Sequence, residues 1–251
     1  MRKITINLAA VAAFCIVVAS PALVSSSCAT PQTEQEDTTI IREDLGITAL
    51  KYSSPEVPPS IEFCGKVIDL SRFDRHERMD RELLAFTYMH STSLQMLKKA
   101  NRYFPIVEPI LKENGIPDDF KYLMVIESNM NPTARSSAGA AGLWQFMQGT
   151  GRDYGLEVNN NVDERYHIEK ATRAACRYLK DAYAKYKDWV AVAASYNAGQ
   201  ARIASQLAKQ DVDDSLDLQL VEETARYVYR ILAAKQLFNA PTTFGFRLRA
   251  S

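Results

Sequence analysis

One stretch of the sequence, DWVAVAASYNAG at Asp188 to Gly199, is apolar around almost its whole circumference. A helix with so little polar surface has to be buried among other elements. Segments with helical spacing of apolar residues stand before it, IEKATRAACRYLKDAYAKY, and after it, VEETARYVYRILAAKQLF. No strand-like alternation of any length is convincing. We therefore predict a mainly α protein in which this helix is buried.

Further helices are predicted upstream. Helical spacing runs from Glu77 to Tyr103, and we expect Pro105 to break it. A short helix then follows from Ile106 to Asn114, and another begins at Pro117, where a missing N–H costs little. The segment AAGLWQFMQGTGRDYG is predicted as one more helix.

The N-terminus follows the three-part plan of a secretory signal. Arg2 and Lys3 are basic, the apolar run LAAVAAFCIVV follows, and small residues come next in SPALVSSSCAT. The apolar run is shorter than the roughly 20 residues of a membrane-spanning helix. We predict that residues 1–27 direct export to the periplasm. An uncleaved anchor at the membrane interface is the alternative.

Cys28 stands where a lipoprotein signal places its lipidated cysteine. Ser26 and Ser27 fit the two preceding positions, but Ser25 occupies a position where an aliphatic residue is usual. Attachment to the outer membrane through a lipid on Cys28 and ordinary cleavage nearby therefore both stay open. Residues 28–60, which include SSPEVPPS, have the composition of a flexible tether.

Charge, cysteine and histidine content bear on partners and cofactors. The net charge is zero, so nothing suggests that the protein binds nucleic acid. Three cysteines follow the signal, Cys28, Cys64 and Cys176, and an odd number is no disulfide framework. A pairing of Cys64 with Cys176 is left open. The histidines are scattered singly and no metal-ligand spacing occurs, so we predict neither a metal nor a cofactor.

A single acid interrupts the apolar run YLMVIES. Phe120, Leu123, Met124 and Glu127 fall at i, i+3, i+4 and i+7, which places the carboxylate on the core face of a helix and near its C-terminus. Burial and the helix dipole both disfavour the ionised form, so we expect the pKa of Glu127 to be raised. A carboxylic acid that keeps its proton near neutral pH suits general acid catalysis. The alternative is an acid at a frayed helix end that points into solvent.

The segment after Glu127 is poor in side chains. Ser136 precedes Gly139-Ala140-Ala141-Gly142, and glycine lets the backbone approach a ligand or another segment closely. Trp144 and Gln145 then offer an aromatic face and an amide, a mixture that suits sugars. A tight helix–helix contact with Trp144 in the core explains the same residues equally well.

Two later motifs place polar side chains on helices. In SYNAG, Tyr196 and Asn197 close the buried helix, so they either line a cleft or bond to the backbone. In EETARYV, Glu223 and Tyr227 are four residues apart and share a helical face. By itself, that second arrangement is common on protein surfaces.

Together these segments resemble one family. In order, ESNMNPTARSSAGAAGLWQFMQGT, VDERYHIEKATRAACRYL, DWVAVAASYNAG and EETARYV look like the catalytic domain of the lytic transglycosylases. Among these enzymes they are similar to the membrane-bound murein transglycosylase D type. The likeness continues upstream and covers about residues 61–246.

The resemblance implies roles for particular residues. Glu127 would be the single catalytic acid and base, and Tyr196 would bind substrate and hydrogen-bond the Glu127 carboxylate. The other substrate-binding residues would line the sugar cleft: Ser136, Gln145, Met147, Asn197 and Glu223.

The last motif departs from the family pattern. Val221 stands where proline is usual, and Ala225 stands where arginine is usual. Glu222 lies beside Glu223, which leaves open which of the two acids points inward. We find none of the peptidoglycan-binding LysM modules that longer members carry, so we expect wall affinity to come from the cleft, with a contribution from a lipid tether if Cys28 is lipidated.

The implied fold is mainly α and lysozyme-like, with an N-terminal helical extension at 61–104 and the transglycosylase (SLT) domain at 105–246. The implied partner and substrate is the peptidoglycan glycan strand. It would be cleaved without water between N-acetylmuramic acid and N-acetylglucosamine, which leaves 1,6-anhydro ends. The alternatives are a goose-type lysozyme-like muramidase that hydrolyses the same bond, and a peptidoglycan-binding protein without activity.

Overall fold

The computed structural model describes residues 54–212 and 214–248. The predicted export signal (1–27), Cys28 and most of the predicted tether (28–60) lie outside these residues. The described residues form one two-stranded sheet and eight α-helices: β1 (Ser60–Phe63), β2 (Lys66–Asp69), α1 (Phe73–Tyr88), α2 (His90–Glu113), α3 (Phe120–Ser128), α4 (Gln148–Asp153), α5 (Ile168–Tyr186), α6 (Trp189–Ala198), α7 (Gln200–Lys209) and α8 (Glu222–Asn239). The predicted mainly α class is confirmed.

The apolar helix that the sequence singles out is α6, and it is buried. Residues 190–195 of α6 are all inaccessible or nearly so, and the helix packs against α5, α7 and α8. It begins where the Asp188 side chain accepts a hydrogen bond from the Val190 N–H, and it ends at Gly199. Helix α5 has the bounds that its periodicity predicts. Within the described ranges, no helix is both long and apolar enough to cross a membrane.

Helix α2 contradicts the predicted break at Pro105. It runs without interruption for 24 residues and contains both Pro105 and Pro109. The two prolines lie one turn apart on the exposed face, so the carbonyl groups that lose their N–H partners face water. The opposite face is buried and packs against α3 and α5. The predicted boundary between residues 104 and 105 therefore falls inside a helix.

The β-hairpin was not predicted. Its two strands have only four residues each, with Ser60 opposite Asp69 and Phe63 opposite Lys66. The Cys64-Gly65 turn has positive φ at both residues, as a type I′ hairpin turn requires. Ile61, Phe63 and Ile68 are buried, and the Phe63 ring packs on Phe120 at the start of α3. The alternation in SIEF and the glycine after it are the signals that could have revealed the hairpin.

Polar contacts also fix the hairpin to the helices. Asp119, at the start of α3, accepts a hydrogen bond from the Cys64 N–H at 2.7 Å. The same carboxylate pairs with Lys235 of α8 at 2.8 Å, and Lys235 also donates to the Glu62 carbonyl at 2.6 Å. Cys64 is a free thiol, as is the buried Cys176, so no disulfide joins these two residues.

Candidate active site

Glu127 lies in the last turn of α3. Leu123 and Met124, which share its face of the helix, are fully buried, as the helical spacing predicts. The helix stops because Asn129 and Met130 both adopt left-handed backbone conformations, with φ of 49° and 59°. Asparagine tolerates this conformation better than most residues, which suits it to the position after a helix.

Tyr227 of α8 donates a hydrogen bond to the Glu127 carboxylate. Its side chain is buried, with 4% of its surface exposed, so the contact is largely shielded from water. Glu223 lies one turn before Tyr227 and Arg230 one turn after it, on the same face of α8. The charges of both residues affect the pKa of Glu127, which Arg230 lowers and Glu223 raises. Helix α8 therefore presents a hydroxyl, a carboxylate and a guanidinium group towards the end of α3.

Burial raises the pKa of Glu127 to about 7. The loss of water around the carboxyl group is the largest cause, and the negative charge of Glu223 acts in the same direction. The hydrogen bond from Tyr227 and the positive charge of Arg230 oppose it. The predicted raised pKa is thus confirmed. Glu127 can therefore hold a proton much closer to neutral pH than an exposed glutamate does.

Tyr196 does not take the position that the resemblance implies. Its hydroxyl donates to the Trp144 carbonyl at 2.8 Å, and the hydrogen bond to Glu127 comes from Tyr227 instead. Burial and the nearby Glu127 charge raise the pKa of both tyrosines well above the usual value, so both hydroxyls stay protonated. The expected bond from Tyr196 to Glu127 is therefore wrong. Which of the two tyrosines reaches the carboxylate depends on how α3, α6 and α8 pack.

The small-residue segment is a folded loop, not the start of a helix. Ala141 forms bridges with Arg135 and with Phe146, and only residues 148–153 of the predicted helix are helical. Gln145 has a φ of 48°, which a helix does not allow. Its amide donates to the Gly142 carbonyl at 2.8 Å and to the Ala134 carbonyl at 3.2 Å. These contacts hold the loop closed on itself.

Arg165 fixes this loop from outside and was missed by the sequence reasoning. Its guanidinium group donates to the carbonyl groups of Gly139 and Phe146 at 2.8 and 2.9 Å, and Asp163 holds it in place. Arg165 is 4% exposed. A Cβ atom on Gly142 would lie 1.9 Å from the Arg165 carbonyl oxygen, so this glycine is required by close backbone approach.

Trp144 belongs to the core. It is fully buried, and its indole N–H donates to the Thr172 hydroxyl at 2.9 Å. Of the two explanations that the sequence left open for this side chain, a sugar-stacking surface is wrong and core packing is right. Trp144 contributes to the site through its backbone, because its carbonyl accepts the Tyr196 hydrogen bond.

The remaining predicted residues lie around the loop and at the end of α6. Ser136 is exposed, and its hydroxyl accepts the Ala140 N–H at 3.0 Å. Met147 is 46% exposed, which is unusual for so apolar a side chain. Asn197 accepts a hydrogen bond from Thr224 at 2.8 Å, and Thr224 is the direct neighbour of Glu223. In the part of the chain that the structure describes, no hydrogen bond joins any of these predicted residues to Glu127.

Glu222 and Glu223 are both exposed, and they differ in the groups that they act on. Glu222 forms an ion pair with Arg81 at 2.7 Å on the protein surface. Glu223 is exposed, and its charge raises the pKa of Glu127. The acid that the family pattern selects is therefore the one that acts on Glu127.

The geometry supplies a proton donor that can also become a base. Glu127 is a largely desolvated acid with a pKa near 7, and a buried phenol keeps one carboxyl oxygen in place. Glu223, the other carboxylate that influences Glu127, remains in solvent. A cavity of about 930 Å³ lies elsewhere, between the end of α2 and the start of α3, and none of the predicted site residues lines it.

The chain is similar in sequence to known proteins. Residues 105–217 match the family model of the Transglycosylase SLT domain. The chain is 30% identical over 177 residues to membrane-bound lytic murein transglycosylase D of Escherichia coli, an alignment that covers 68% of this chain and 38% of that protein. It is 29% identical over 150 residues to membrane-bound lytic murein transglycosylase C of Haemophilus ducreyi, covering 54% and 40%. The chain thus spans about two fifths of the length of these relatives.

A solved structure is also similar. The crystal structure of an inactive variant of the lytic transglycosylase Slt from Pseudomonas aeruginosa aligns with 57% of this chain and 24% of that chain, at 21% identity and a TM-score of 0.47. The family match ends at residue 217, so the contributions of α8 described above come from the structure and not from that match. Residues 105–217 of this chain therefore resemble the Transglycosylase SLT domain in sequence.

Proposed function

We propose that this protein is a peptidoglycan lytic transglycosylase. The observation that carries the proposal is Glu127, whose pKa burial raises to about 7 and whose carboxylate is held by the Tyr227 hydroxyl. The family match over 105–217 and the similarity to two lytic murein transglycosylases support the substrate class. The proposed substrate is the β-1,4 bond between N-acetylmuramic acid and N-acetylglucosamine in the glycan strand.

In the first step, protonated Glu127 acts as the general acid. It donates its proton to the glycosidic oxygen, and the bond from that oxygen to C1 of the muramic acid breaks. The exposed Glu223 is not hydrogen-bonded to Glu127, and we assign it to the wall of the sugar cleft and not to nucleophilic attack. The cation that develops at C1 is stabilised by the acetamide group of the substrate itself, as in substrate-assisted glycosidases.

In the second step, the same residue acts as the general base. Ionised Glu127 takes the proton from the C6 hydroxyl of the muramic acid, and the C6 oxygen attacks C1. The product is a 1,6-anhydro ring, and Glu127 is again protonated. A pKa near 7 suits both steps, because neither the protonated nor the ionised form is strongly disfavoured at neutral pH. Tyr227 remains bonded to the carboxylate and orients it throughout.

The other residues are proposed to bind the sugar. Ser136, Gln145 and Met147 belong to the loop that Arg165 fixes, and they would contact the substrate as one rigid surface. Tyr196 and Asn197 close the far side at the end of α6. The loop and α6 are joined through the bond from Tyr196 to the Trp144 carbonyl, so these two parts of the binding surface keep a fixed spacing.

The decisive experiment is digestion of purified sacculi followed by mass spectrometry. We expect muropeptides with anhydro ends, which are one water lighter than the reducing ends that hydrolysis leaves. Glu127→Gln should lower the rate of release by at least about a hundredfold, because general acid catalysis contributes 10² to 10⁴ in rate.

Each other outcome has a defined meaning. Reducing ends from the unmodified protein would show that water is the acceptor, and the protein would be a muramidase of the lysozyme type. Retained turnover in Glu127→Gln would refute the role of Glu127. Binding to sacculi with no product would indicate a protein that binds the wall without cleaving it.

We also propose that the chain acts in the periplasm, where its substrate lies. The signal-like residues 1–27 support export, and the two relatives are named as membrane-bound. A lipid on Cys28, followed by the tether, would keep the domain within reach of the wall. Fractionation of cells that produce the Cys28→Ala variant tests this attachment, since loss of the lipid would move the protein from the membrane to the soluble fraction.

A further inference from the structure

A buried carboxylate lies in α1, away from the site described above. Glu82 is 2% exposed, although it belongs to the predicted N-terminal extension and not to the segment that matches the family model. Its partners are Arg226 of α8, whose side chain is 38% exposed, and Arg81 of α1, whose Nε lies 3.4 Å from the carboxylate. Arg226 Nε lies 2.7 Å from one carboxylate oxygen and Arg226 Nη2 lies 3.3 Å from the other. The pair is therefore a two-pronged bond between two helices.

Stability alone does not explain this pair well. Removing a carboxylate from water costs free energy that one partner seldom returns in full, and buried ion pairs are often no more stabilising than apolar side chains in their place. A planar guanidinium that meets both oxygens does, however, fix distance and orientation. The pair restricts where α8 can lie relative to α1.

Arg226 is the direct neighbour of Tyr227. Successive residues of a helix point about 100° apart, so Arg226 faces α1 while Tyr227 faces Glu127 on α3. A rotation or a slide of α8 would displace both side chains together. Two turns later, Lys235 of α8 pairs with Asp119 at the start of α3, which fixes the helix at a second point.

We infer that Glu82 is a positioning residue for the acid/base Glu127. By holding Arg226, it sets the orientation of α8 and thereby keeps the Tyr227 hydroxyl on the Glu127 carboxylate. The inference rests on the proposed function for its effect on turnover, but its geometric part, the contact between Tyr227 and Glu127, can be measured without any substrate.

The chain offers a matched control. Glu222 of α8 pairs with Arg81 of α1 at 2.7 Å, so this second pair joins the same two helices, but its side chains are 70% and 46% exposed. Glu82→Gln and Glu222→Gln make the same chemical change, from carboxylate to amide. The two carboxylates differ in burial, and only Glu82 binds the neighbour of Tyr227. Arg81 lies 3.4 Å from Glu82 as well, so Glu222→Gln leaves Arg81 with that second partner.

The first measurement is the titration of the Glu127 carboxyl by carbon-13 NMR in the full chain and in both variants. The Tyr227 hydrogen bond lowers the pKa of Glu127, so loosening this contact should raise it. The change in charge alone predicts a downward shift of the Glu127 pKa. Glu82→Gln removes a negative charge and takes the carboxylate partner from Arg226, and both changes favour an ionised Glu127. We expect an upward shift in Glu82→Gln and none in Glu222→Gln.

The second measurement is turnover on solubilised glycan strands, well below the melting temperature of each variant. We expect Glu82→Gln to lower kcat about tenfold with KM changed less than about twofold, since a displaced catalytic group slows chemistry more than binding. Glu222→Gln should stay within about twofold of the unmodified protein in both constants.

Several results would overturn the inference. One is a Glu127 titration in Glu82→Gln that is unchanged or shifted downward, and another is an equal effect in Glu222→Gln. If Glu82→Gln does not fold, Arg226→Lys replaces it, because lysine keeps the charge but not the two-pronged geometry. The inference then requires an upward shift of the Glu127 pKa in Arg226→Lys and none in Glu222→Gln. An unmodified protein that makes no anhydro ends would refute the proposed function, while the NMR titration would still decide whether Glu82 positions Tyr227.

Discussion

At the scale of single residues, the state of Glu127 is set by opposing influences. Burial favours the protonated form, while Tyr227 and Arg230 favour the ionised form, and the balance leaves the pKa near 7. An isolated buried carboxylic acid would hold its proton too firmly to act later as a base. Tyr227 therefore contributes to both halves of the proposed cycle: it orients the carboxylate and limits how far its pKa rises.

Variants of Tyr227 and Tyr196 should be distinguishable by the pH dependence of kcat/KM. In its proposed role as general acid, Glu127 must be protonated, so kcat/KM should fall as the pH rises through about 7. Tyr227→Phe removes a bond that lowers the pKa of Glu127, so this fall should move to higher pH while the maximum drops about tenfold. Tyr196→Phe should not change the pH at which kcat/KM falls, because the Tyr196 hydroxyl donates to the Trp144 carbonyl and not to Glu127. Identical profiles for both variants would contradict these assignments.

Sequence reasoning identified Glu127 but not its partner. Helical spacing fixes which face of α3 the acid shares, and that is a local property of the eight residues from Phe120 to Glu127. The choice between Tyr196 and Tyr227 is not local, because it depends on the distance between α6, α8 and the end of α3. Arg165 was missed for the same reason: in the sequence it is one cation among many, and only the fold brings it to the Gly139 and Phe146 carbonyl groups.

At the scale of elements, periodicity was reliable where a helix has one continuous buried face, as in α5. It failed where a tertiary contact overrides a local preference. Pro105 does not break α2, since its lost hydrogen bond faces solvent while the other face of the helix is buried. Residues 139–147 are compatible with a helix by composition, yet they form a loop because Arg165 binds carbonyl groups that a helix would use internally.

In the loop that Arg165 binds, substitution of Gly142 should therefore destabilise the protein more than substitution of Gly139. Gly142→Ala puts a Cβ atom 1.9 Å from the Arg165 carbonyl oxygen at a φ of +78°, so we expect the free energy of unfolding to fall by about 2 to 4 kcal/mol. Gly139→Ala is the control, because its φ of +91° is similarly strained but no atom lies within 4 Å. We expect it to cost about 1 kcal/mol. Urea denaturation measures both, and equal losses would mean that backbone strain, not the close approach, sets the cost.

At the scale of the whole molecule, the predicted extension and the predicted catalytic domain share one core. Met79 and Leu83 of α1, Met96 of α2 and Phe63 of β1 are all fully buried, and all belong to the predicted extension. Helix α1 packs along α8, the helix that carries Tyr227. The division at residue 104, which the sequence motivates by the family resemblance and by Pro105, does not follow a gap in the packing.

This packing predicts the behaviour of two fragments. A fragment of residues 105–246 loses those four buried side chains, each worth about 1.5 to 3 kcal/mol, and the sum approaches the whole stability of a typical domain. We expect it to lack a cooperative thermal transition. A fragment of residues 54–251 keeps the complete described core and should melt within a few degrees of the full chain. Calorimetry measures the melting temperature of both fragments. A cooperative transition of fragment 105–246 at a temperature close to that of fragment 54–251 would contradict this expectation. It would show that the SLT region is independently stable and that α8 needs no support from α1.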